Sequence, residues 1–294
     1  MGPVLVTGGS GQVGSALQRL GGEFEFVAPS RAELDLADAD ALVAAVAARP
    51  WRAVVNAGAY TAVDKAESDV VGAWKINALA PAALAAATRA AGIPLIHIST
   101  DYVFDGAKPE PYVEDDAVRP IGVYGASKEA GEQAVRTGNP AHVILRTAWV
   151  VSPDGANFIK TMLRLGADRP ELRVVADQHG CPTAAADIAQ AIAAILSRSD
   201  ADGPFGTFHF VNSGAATWHA LAEAVFARAA AHGRPQPRVE AITTADYPTP
   251  ARRPANSRLD TTRFVRSFGL QPRPWREAID EVVDQLISKE RIGA

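Results

Sequence analysis

Short apolar runs alternate with helically spaced apolar residues along the first half of the chain. The apolar runs predict strands at residues 3–7, 24–28, 53–56, 94–99 and 142–147. The segments between and after them predict helices at residues 12–20, 38–49, 69–77, 81–91 and 124–136. Strands and helices that alternate at this spacing are typical of βαβ units. We therefore expect an α/β fold with a doubly wound parallel sheet.

The second half of the chain is less regular, and its pattern indicates a smaller, mixed α/β lobe. Helices are predicted at residues 157–165, 185–196, 217–232 and 275–288, and a strand at 207–211. Because residues 185–196 and 207–211 have the pattern of a sheet-covering helix and strand, we expect the chain to return to the first sheet. This predicts a first domain of residues 1–150 plus about 183–212, and a second lobe of about 151–182 and 213–294.

The composition narrows the class of protein. The 294 residues include 29 lysines and arginines against 33 aspartates and glutamates, so the net charge of −4 gives no basic field that would favour nucleic acid. One cysteine, Cys181, excludes an internal disulfide framework and a thiolate zinc site. No stretch approaches about 18 strongly apolar residues, and the N-terminus lacks the basic segment of a signal peptide. We therefore expect a cytoplasmic protein without a membrane span.

Three glycines follow the first predicted strand and open the first predicted helix. Gly8, Gly11 and Gly14 give the spacing G-x-x-G-x-x-G. The first permits a tight turn, the second lets the backbone approach a pyrophosphate, and the third lets the helix pack on the strand. Since a helix N-terminus also attracts phosphate, this context predicts a Rossmann-type, dinucleotide-binding first domain. The second lobe would then bind the substrate.

The residues after the second predicted strand bear on the choice of cofactor. NAD is held by an acidic residue at this point, whereas an arginine can hold the 2′-phosphate of NADP. Ser30 and Arg31 stand there, which favours NADPH over NADH, although Arg31 could equally be a solvated loop charge. Asp35 and Leu36 follow and are placed to flank the adenine. The small residues 56–59 end the third strand and could lie against the cofactor or serve close packing alone.

A Y-x-x-x-K sequence, Tyr124 to Lys128, lies on the helix before the fifth strand. Positions four apart share one face of a helix, so both side chains can point at one ligand. A neighbouring ammonium lowers a phenol pKa and prepares tyrosine to donate a proton to a carbonyl oxygen. Thr100 ends the fourth strand, at the edge where this fold places its chemistry, and its hydroxyl can hydrogen-bond the same oxygen. Alone, the pair could be an ordinary surface tyrosine and lysine.

The sequence resembles the extended short-chain dehydrogenase/reductase family and, within it, the dTDP-4-dehydrorhamnose reductases. The resemblance extends over nearly the whole chain. It is carried by residues 11–14, 56–67, 99–106, 124–125, 146–150, 157–158, 177–183 and 253–259. It implies NAD(P)H-dependent reduction of the 4-keto group of a dTDP-4-keto-6-deoxy sugar, dTDP-4-dehydro-6-deoxy-L-mannose, to dTDP-L-rhamnose.

The resemblance also implies roles for individual residues. Tyr124 would donate the proton, Lys128 would assist it, and Thr100 would polarise the keto oxygen. Asp101 and Trp149 would contact the sugar. Apart from the resemblance, Arg253 in the aperiodic and arginine-rich segment 246–260 could be a surface charge, but a guanidinium fork fits the diphosphate of a sugar nucleotide, so we expect it there. Together with the reasoning above, the expected cofactor-binding residues are Gly8, Gly11, Gln12, Val13, Gly14, Ser30, Arg31, Asp35, Leu36, Ala57, Ala59, Tyr60, Thr61, Tyr124 and Lys128.

Two other functions remain open at this point. A sugar-nucleotide dehydratase or epimerase uses the same scaffold, but a dehydratase needs an acid pair after the strand-end threonine, and Tyr102 follows Asp101 here. A non-catalytic regulatory subunit would not need to keep Tyr124 and Lys128. Asp64, Lys65 and Glu67 are expected to form ion pairs at a helix start rather than a metal site.

Some members of the resembled family are dimers bridged by Mg²⁺ through glutamates. In this chain Ser15 and Ala186 occupy two of those positions. The third would come from the C-terminal segment, which does not align with the family pattern, and Glu290 is the candidate there. Mg²⁺ requires hard oxygen ligands that a serine and an alanine do not replace. We therefore expect no metal site, activity without Mg²⁺, and a monomer or weak homodimer.

Overall fold

The computed structural model describes residues 2–199 and 203–292, without the side chains of residues 290–292. Its strands are β1 Val4–Thr7, β2 Phe26–Val27, β3 Ala53–Asn56, β4 Leu95–Thr100, β5 His142–Thr147, β6 Val150–Val151, β7 Glu171–Val175, β8 His179–Gly180, β9 Thr183–Ala184, β10 Gly206–His209, β11 Ala216–Thr217 and β12 Arg238–Ile242.

The helices are α1 Gln12–Leu20, α2 Ala39–Ala47, α3 Val63–Ala66, α4 Val70–Trp74, α5 Ala80–Ala91, α6 Val123–Gly138, α7 Phe158–Asp168, α8 Ala185–Leu196, α9 Trp218–Ala231, α10 Thr262–Phe268 and α11 Trp275–Ile292. A π-helical turn, Lys75–Leu79, joins α4 to α5, so the two helices predicted there form one continuous helix. Short 3₁₀ turns lie at Asp101–Val103 and Thr244–Asp246.

A six-stranded parallel sheet forms the centre of the fold, in the order β10-β5-β4-β3-β1-β2. Alternate residues of each strand face opposite layers. Val4 and Val6 of β1 pack in one core with α1 and α8, and Leu5 packs in the other with α2 and α5. The expected doubly wound α/β fold is confirmed, and the predicted strand at 207–211 is β10, at the edge of this sheet.

A separate core lies in the second half of the chain. It contains apolar residues of α7, α9 and α11, with β7 and β12 paired in parallel beside them. The sequence analysis missed β7 and β12 because each has only five residues, and although exposed and buried positions alternate in β7, those of β12 show no such alternation. Helix α10, whose residues the sequence assigns to the second lobe, packs Phe264 and Phe268 into the core of the central sheet.

The helix formed by α4, the π turn and α5 bears on the expectation that the chain has no membrane span. An 18-residue window within its 22 residues has a mean hydropathy of 1.4, which by length and composition alone would suffice to cross a membrane. Lys75, Asn77 and Arg89 interrupt the segment, so it is not a run of about 18 strongly apolar residues. The helix buries Ala80, Leu84 and Ala85 against the central sheet, as a core helix of a doubly wound fold does.

Candidate active site

The glycine loop lies where β1 and β3 are neighbours and the strand order turns back, the switch point at which this fold binds ligands. Gly8 has a φ of +73°, and a Cβ there would come within 2.4 Å of the Gly58 Cα. A Cβ on Gly14 would come within 2.3 Å of the Gly8 carbonyl oxygen. Side chains at either position would therefore destroy the loop. Gly11 precedes α1 without a side-chain cap, which leaves the helix N-terminus for a phosphate.

The other expected cofactor residues lie around this loop. Arg31 is 80% exposed and has one described ion pair, to Asp35 at 3.7 Å. Leu36 reaches over Gly58, and the Ser30 amide donates to Glu33. A 2′-phosphate could approach Arg31 freely, in competition with Asp35 alone. The guanidinium thus fits the role that the sequence predicts for it.

Gln12 connects the glycine loop to the second lobe. Its Nε2 donates to the Val150 carbonyl at 3.2 Å, and its Oε1 accepts from Asn157 at 3.0 Å. Val13 lies behind it in the core of the central sheet. The loop and the start of α7 are therefore held together across the entrance to the cleft.

Residues 57–61 extend from β3 and are held by a residue that the sequence analysis missed. Asn77, in the π-helical turn, accepts from the Tyr60 amide at 2.8 Å and donates to the Tyr60 carbonyl and to Ser127. A Cβ on Gly131 would lie 2.1 Å from the Asn77 carbonyl oxygen, so α6 passes very close to this turn. The sequence signal that could have identified Asn77 is a single asparagine within an otherwise mostly apolar helix. Ala57, Ala59, Tyr60 and Thr61 are thereby fixed beside the loop.

Tyr124 and Lys128 lie one turn apart on α6. Glu67 caps this helix, because its carboxylate accepts from the Val123 amide at 2.8 Å, one residue before Tyr124. The neighbouring Asp64 forms an ion pair with Arg253 at 2.8 Å. The acidic residues of 64–67 thus stabilise helix and loop termini, and no group of three or more His, Cys, Asp or Glu that could hold a metal occurs in the described part of the chain.

The electrostatics of Tyr124 differ from the expectation. Burial raises the pKa of its phenol to about 12, the Thr100 hydroxyl lowers it, and the Asp101 carboxylate raises it. Lys128 contributes no lowering here, because its amino group points elsewhere, donating to the Ile98 carbonyl at 2.6 Å. The expected lowering of the phenol pKa by Lys128 is therefore absent from this arrangement, and Tyr124 is a protonated acid at neutral pH.

The end of β4 supplies two polar groups. Thr100 donates to Asp101 Oδ1 at 2.9 Å, and both residues are at most 5% exposed. Burial raises the pKa of Asp101 to about 6, against the lowering effect of the Ser257 and Thr100 hydroxyls. Asp101 Oδ2 and Thr147 Oγ1 are buried without a hydrogen-bond partner in the described residues. Thr147, at the end of β5, is a second group that the sequence analysis missed.

Trp149 has a φ of +47°, a left-handed backbone conformation that is rare for a non-glycine residue. Its ring stacks on Trp218 with centroids 3.5 Å apart and lies against Gly180, where a Cβ would come within 2.3 Å of the ring. Phe158 packs on the other ring at 4.9 Å. Such strain persists only where surrounding contacts enforce it, and it occurs most often at functional sites. Trp149 thus lies at the junction of the two cores, next to the end of β5.

Arg253 does not stand free to meet a ligand. Its guanidinium donates to both carboxylate oxygens of Asp64, at 3.2 and 2.8 Å, and also to Thr249. Its side chain is 23% exposed. The loop of residues 249–253 is thereby fastened to the start of α3. A diphosphate would have to share or replace Asp64.

Comparison with known proteins decides the family. The family model described as "RmlD substrate binding domain" matches residues 1–288. A dTDP-4-dehydrorhamnose reductase of Sinorhizobium fredii is 46% identical over 97% of each chain. The chain belongs to the dTDP-4-dehydrorhamnose reductase family. The resemblance expected from the sequence is confirmed.

Solved structures of this family have the same fold. A dTDP-4-dehydrorhamnose reductase from Clostridium acetobutylicum superposes with a TM-score of 0.91 at 36% identity, over 97% of this chain and 99% of that one. One from Bacillus anthracis, solved in complex with NADP, gives a TM-score of 0.90 at 34% identity with the same coverage. The chain therefore shares the fold of these reductases over nearly all of its length.

Proposed function

We propose that this chain reduces the 4-keto group of dTDP-4-dehydro-6-deoxy-L-mannose to dTDP-L-rhamnose with NAD(P)H. The observation that carries the proposal is the meeting of Tyr124, Thr100 and Asp101 at the end of β4, beside the glycine loop. Reduction of a ketone needs a proton donor at the keto oxygen. The protonated phenol of Tyr124, beside the Thr100 hydroxyl, supplies it. Membership of the reductase family supplies the substrate class.

Each residue at this edge has a defined task. A bound nicotinamide nucleotide supplies the hydride to the keto carbon. Tyr124 donates its proton to the keto oxygen, and Thr100 holds that oxygen by a hydrogen bond. Asp101 Oδ2, which lacks a partner, accepts from a sugar hydroxyl. Trp149 closes the side of the cleft toward the second lobe and excludes water from the reacting atoms.

An assay of the purified protein tests this function. NADPH oxidation is followed spectroscopically with the dTDP-4-keto sugar, and the product sugar is identified by NMR. We expect dTDP-L-rhamnose. A changed sugar that keeps its 4-keto group, formed without NADPH consumption, would instead identify an epimerase, and formation of a 4-keto sugar from a dTDP-hexose would identify a dehydratase. No turnover with retained sugar-nucleotide binding would identify a regulatory subunit.

We propose NADPH as the preferred cofactor, supported by the exposure of Arg31. Replacement of Arg31 by alanine should raise the KM for NADPH about tenfold or more, since a charge-assisted hydrogen bond contributes about 1.5–3 kcal/mol. The KM for NADH should stay within about twofold in the same variant. Equal changes for the two cofactors would remove Arg31 from 2′-phosphate recognition.

We propose that residues 1–150 with about 183–212 bind the cofactor, and that about 151–182 and 213–294 bind the sugar nucleotide, with Arg253 at the diphosphate. Replacement of Arg253 by lysine should raise the KM for the sugar nucleotide but leave the affinity for NADPH unchanged, because lysine loses the bidentate fork. An unchanged KM would confine Arg253 to its pair with Asp64.

We propose activity without Mg²⁺ and a monomer or weak homodimer. Of the positions considered for metal ligands, Ser15 and Ala186 carry no carboxylate, Asp187 is occupied by Arg273 and Asn212, and the side chain of Glu290 lies outside the described residues. Rates and elution volumes should be the same in EDTA and in excess Mg²⁺. A metal-dependent change in mass together with loss of activity in EDTA would contradict this proposal.

A further inference from the structure

A chain of buried polar side chains runs behind the catalytic edge and ends at Lys128. Thr7 donates to Asn56 Oδ1 at 2.7 Å, and Asn56 Nδ2 lies 3.0 Å from His97 Nδ1. His97 Nε2 lies 3.5 Å from the Lys128 Nζ, which donates to the Ile98 carbonyl at 2.6 Å. The four side chains come from β1, β3, β4 and α6, and each residue is at most 2% exposed. Among them, only Lys128 has a role implied by the family resemblance, as the residue that assists Tyr124.

The orientation of Asn56 bears on the state of His97. Thr7 donates to Asn56 Oδ1, so the amide nitrogen of Asn56 faces His97 and donates to it. In this orientation His97 Nδ1 accepts and carries no proton. Burial, the largest effect, holds the pKa of His97 well below its usual value, so the ring is neutral. A neutral ring with Nδ1 bare carries its proton on Nε2. That N–H faces the amino nitrogen of Lys128.

An ammonium group has three donors and no acceptor, so it cannot accept the proton of Nε2–H. An uncharged amine can, because it has a lone pair. With Lys128 uncharged, each group donates one hydrogen bond to the next. The Thr7 hydroxyl donates to Asn56, Asn56 to His97, His97 to the amine of Lys128, and the amine to the Ile98 carbonyl. With Lys128 charged, Nε2 and Nζ would present two donors to each other.

We propose that His97, oriented by Asn56 and Thr7, is a positioning residue that donates its Nε2 proton to Lys128 and thereby shifts the protonation equilibrium of Lys128 toward the uncharged amine in the free protein. This rests on the proposed function only in that Lys128 acts in the reaction. The equilibrium would return toward the ammonium when the side chain leaves this position for a ligand.

The charges around Lys128 are consistent with this arrangement. Burial lowers the pKa of Lys128 to about 8, although Glu132, one turn further along α6, raises it. Tyr124 on the same helix is neutral at this pH. His142 on β5 and His97 on β4 are both held neutral by burial. Glu132 is therefore the one opposing charge among the described groups that act on Lys128.

The test is the pKa of Lys128 in the free protein, measured without cofactor or substrate. Trace labelling with acetic anhydride between pH 6 and about 11, read by peptide mass spectrometry, gives the titration of each lysine, since only the uncharged amine reacts. The lysines with exposed side chains in the same sample serve as internal references.

Replacement of Asn56 by leucine gives opposite results for the two explanations. Without the amide donor, His97 is free to carry its proton on Nδ1 and accept from an ammonium at Nε2. We expect the pKa of Lys128 to rise by about 1, seen as about tenfold slower labelling at pH 7. If Asn56 served packing or solvation alone, the more apolar leucine would lower the pKa of Lys128. A lowered or unchanged pKa would overturn the proposal.

Two further variants keep the test decisive. Replacement of Thr7 by valine removes the first donor of the chain, and we expect a smaller rise in the pKa of Lys128 in the same direction. Replacement of Asn139 by leucine removes a different buried asparagine, bonded to Thr88 and the Ile93 carbonyl, and should leave the labelling of Lys128 unchanged. A rise in the pKa of Lys128 in the Asn139 variant would contradict the proposal. If Asn56→Leu does not fold, an unchanged pKa of Lys128 in the Thr7 variant would contradict it as well. Lack of reductase activity in the wild type would contradict the proposed function but not these titrations.

Discussion

Two successive paired positions on β4 and β5 hold buried polar residues that differ in whether their side chains have hydrogen-bond partners. At the first, Ser99 and Arg146 face each other in register, and both bind the carboxylate of Glu132. At the next, Thr100 and Thr147 face each other, and here Thr147 Oγ1 and the adjoining Asp101 Oδ2 have no partner within the described chain. Both sets are almost completely buried.

Polar residues that stabilise the fold and polar residues available to a ligand are thus only one position apart on each strand. Buried polar groups normally find partners, because leaving one unpaired costs about 1–3 kcal/mol. The Glu132 cluster is complete by itself and holds α6 against the sheet. The Thr100 cluster leaves Asp101 Oδ2 and Thr147 Oγ1 without a partner in the described residues, and under the proposed function the bound sugar nucleotide would supply one. Substitutions in the first should therefore change stability, and substitutions in the second should change catalysis.

The largest effect is expected at Tyr124. Its replacement by phenylalanine should lower kcat by about 10²–10⁴-fold, because the proton donor is lost, while the Kd of NADPH stays within about threefold. Steady-state rates and a fluorescence titration measure the two quantities. Tyr102, whose ring lies 5.5 Å from that of Tyr124, offers the matched tyrosine-to-phenylalanine control and should retain activity. Near-wild-type turnover in the Tyr124 variant would remove the phenol from the mechanism.

Replacement of Glu132 by alanine should reduce the free energy of unfolding by about 3–5 kcal/mol. The carboxylate is fully buried, and its loss would leave Arg146 charged and without its bidentate partner. Urea denaturation measures the change. Glu129 is a suitable control on the same helix, bonded only to Gln133, and its replacement by alanine should change stability by less than about 0.5 kcal/mol. Similar small losses in both variants would mean that the cluster does not hold α6.

Asp101 should make the protein less stable as the pH rises from about 4 to 6. Its pKa is raised to about 6 in the folded protein from 3.8, so the folded state retains the proton that the unfolded state loses in this window. The difference corresponds to about 3 kcal/mol at neutral pH. Asp101→Asn should therefore be more stable than the wild type at pH 7.5, equally stable at pH 4, and less active.

Urea midpoints at four pH values compare the two proteins directly, and the difference between them isolates Asp101 from the other titrating groups. A constant difference from pH 4 to 7.5 would show that Asp101 titrates alike in the folded and unfolded states.

The smallest effect is expected at Thr147. Its replacement by valine removes an unpartnered hydroxyl at nearly constant shape, so the free energy of unfolding should stay within about 0.5 kcal/mol of the wild type, with a severalfold loss in kcat/KM. Thr183 is the buried control, since its hydroxyl donates to the Cys181 carbonyl at 2.9 Å, and its replacement by valine should cost about 1 kcal/mol and leave kcat/KM unchanged. If Thr147→Val loses stability as Thr183→Val does, the hydroxyl has a partner within the protein.

Much of the fold could be predicted from the sequence because its elements are local. Val4–Thr7, Ala53–Asn56 and His142–Thr147 are rich in apolar residues and buried throughout, as parallel strands covered on both faces are. The spacing of the glycines predicts the loop between the first strand and the first helix. The two-residue strands of the second lobe could not be predicted, since their partners lie far away in sequence. Thr183 pairs with Val150, and Ala216 with Gly180.

The sequence predicted which residues belong to the candidate site, but it did not predict the contacts among them. Tyr124, Thr100 and Asp101 were expected near one another, and the strand-end rule places them there. Asn77, Thr147 and His97 were missed, because each is an isolated polar residue whose importance depends on which atoms meet it in three dimensions. The pairing of Arg253 with Asp64, 189 positions apart, likewise leaves no local signal.

The position of β10 has a consequence for synthesis on the ribosome. β5 is complete at Thr147, but its outer neighbour, Gly206–His209, is translated only after the chain has passed through α7, β7 and α8. At about 5–20 residues per second, the nascent sheet presents an open apolar edge for several seconds. During that time β5 can pair with a second nascent chain as readily as with its own later strand. Slow translation between these two strands should therefore increase aggregation of the newly made protein, and a chaperone that covers strand edges should be needed most at this stage.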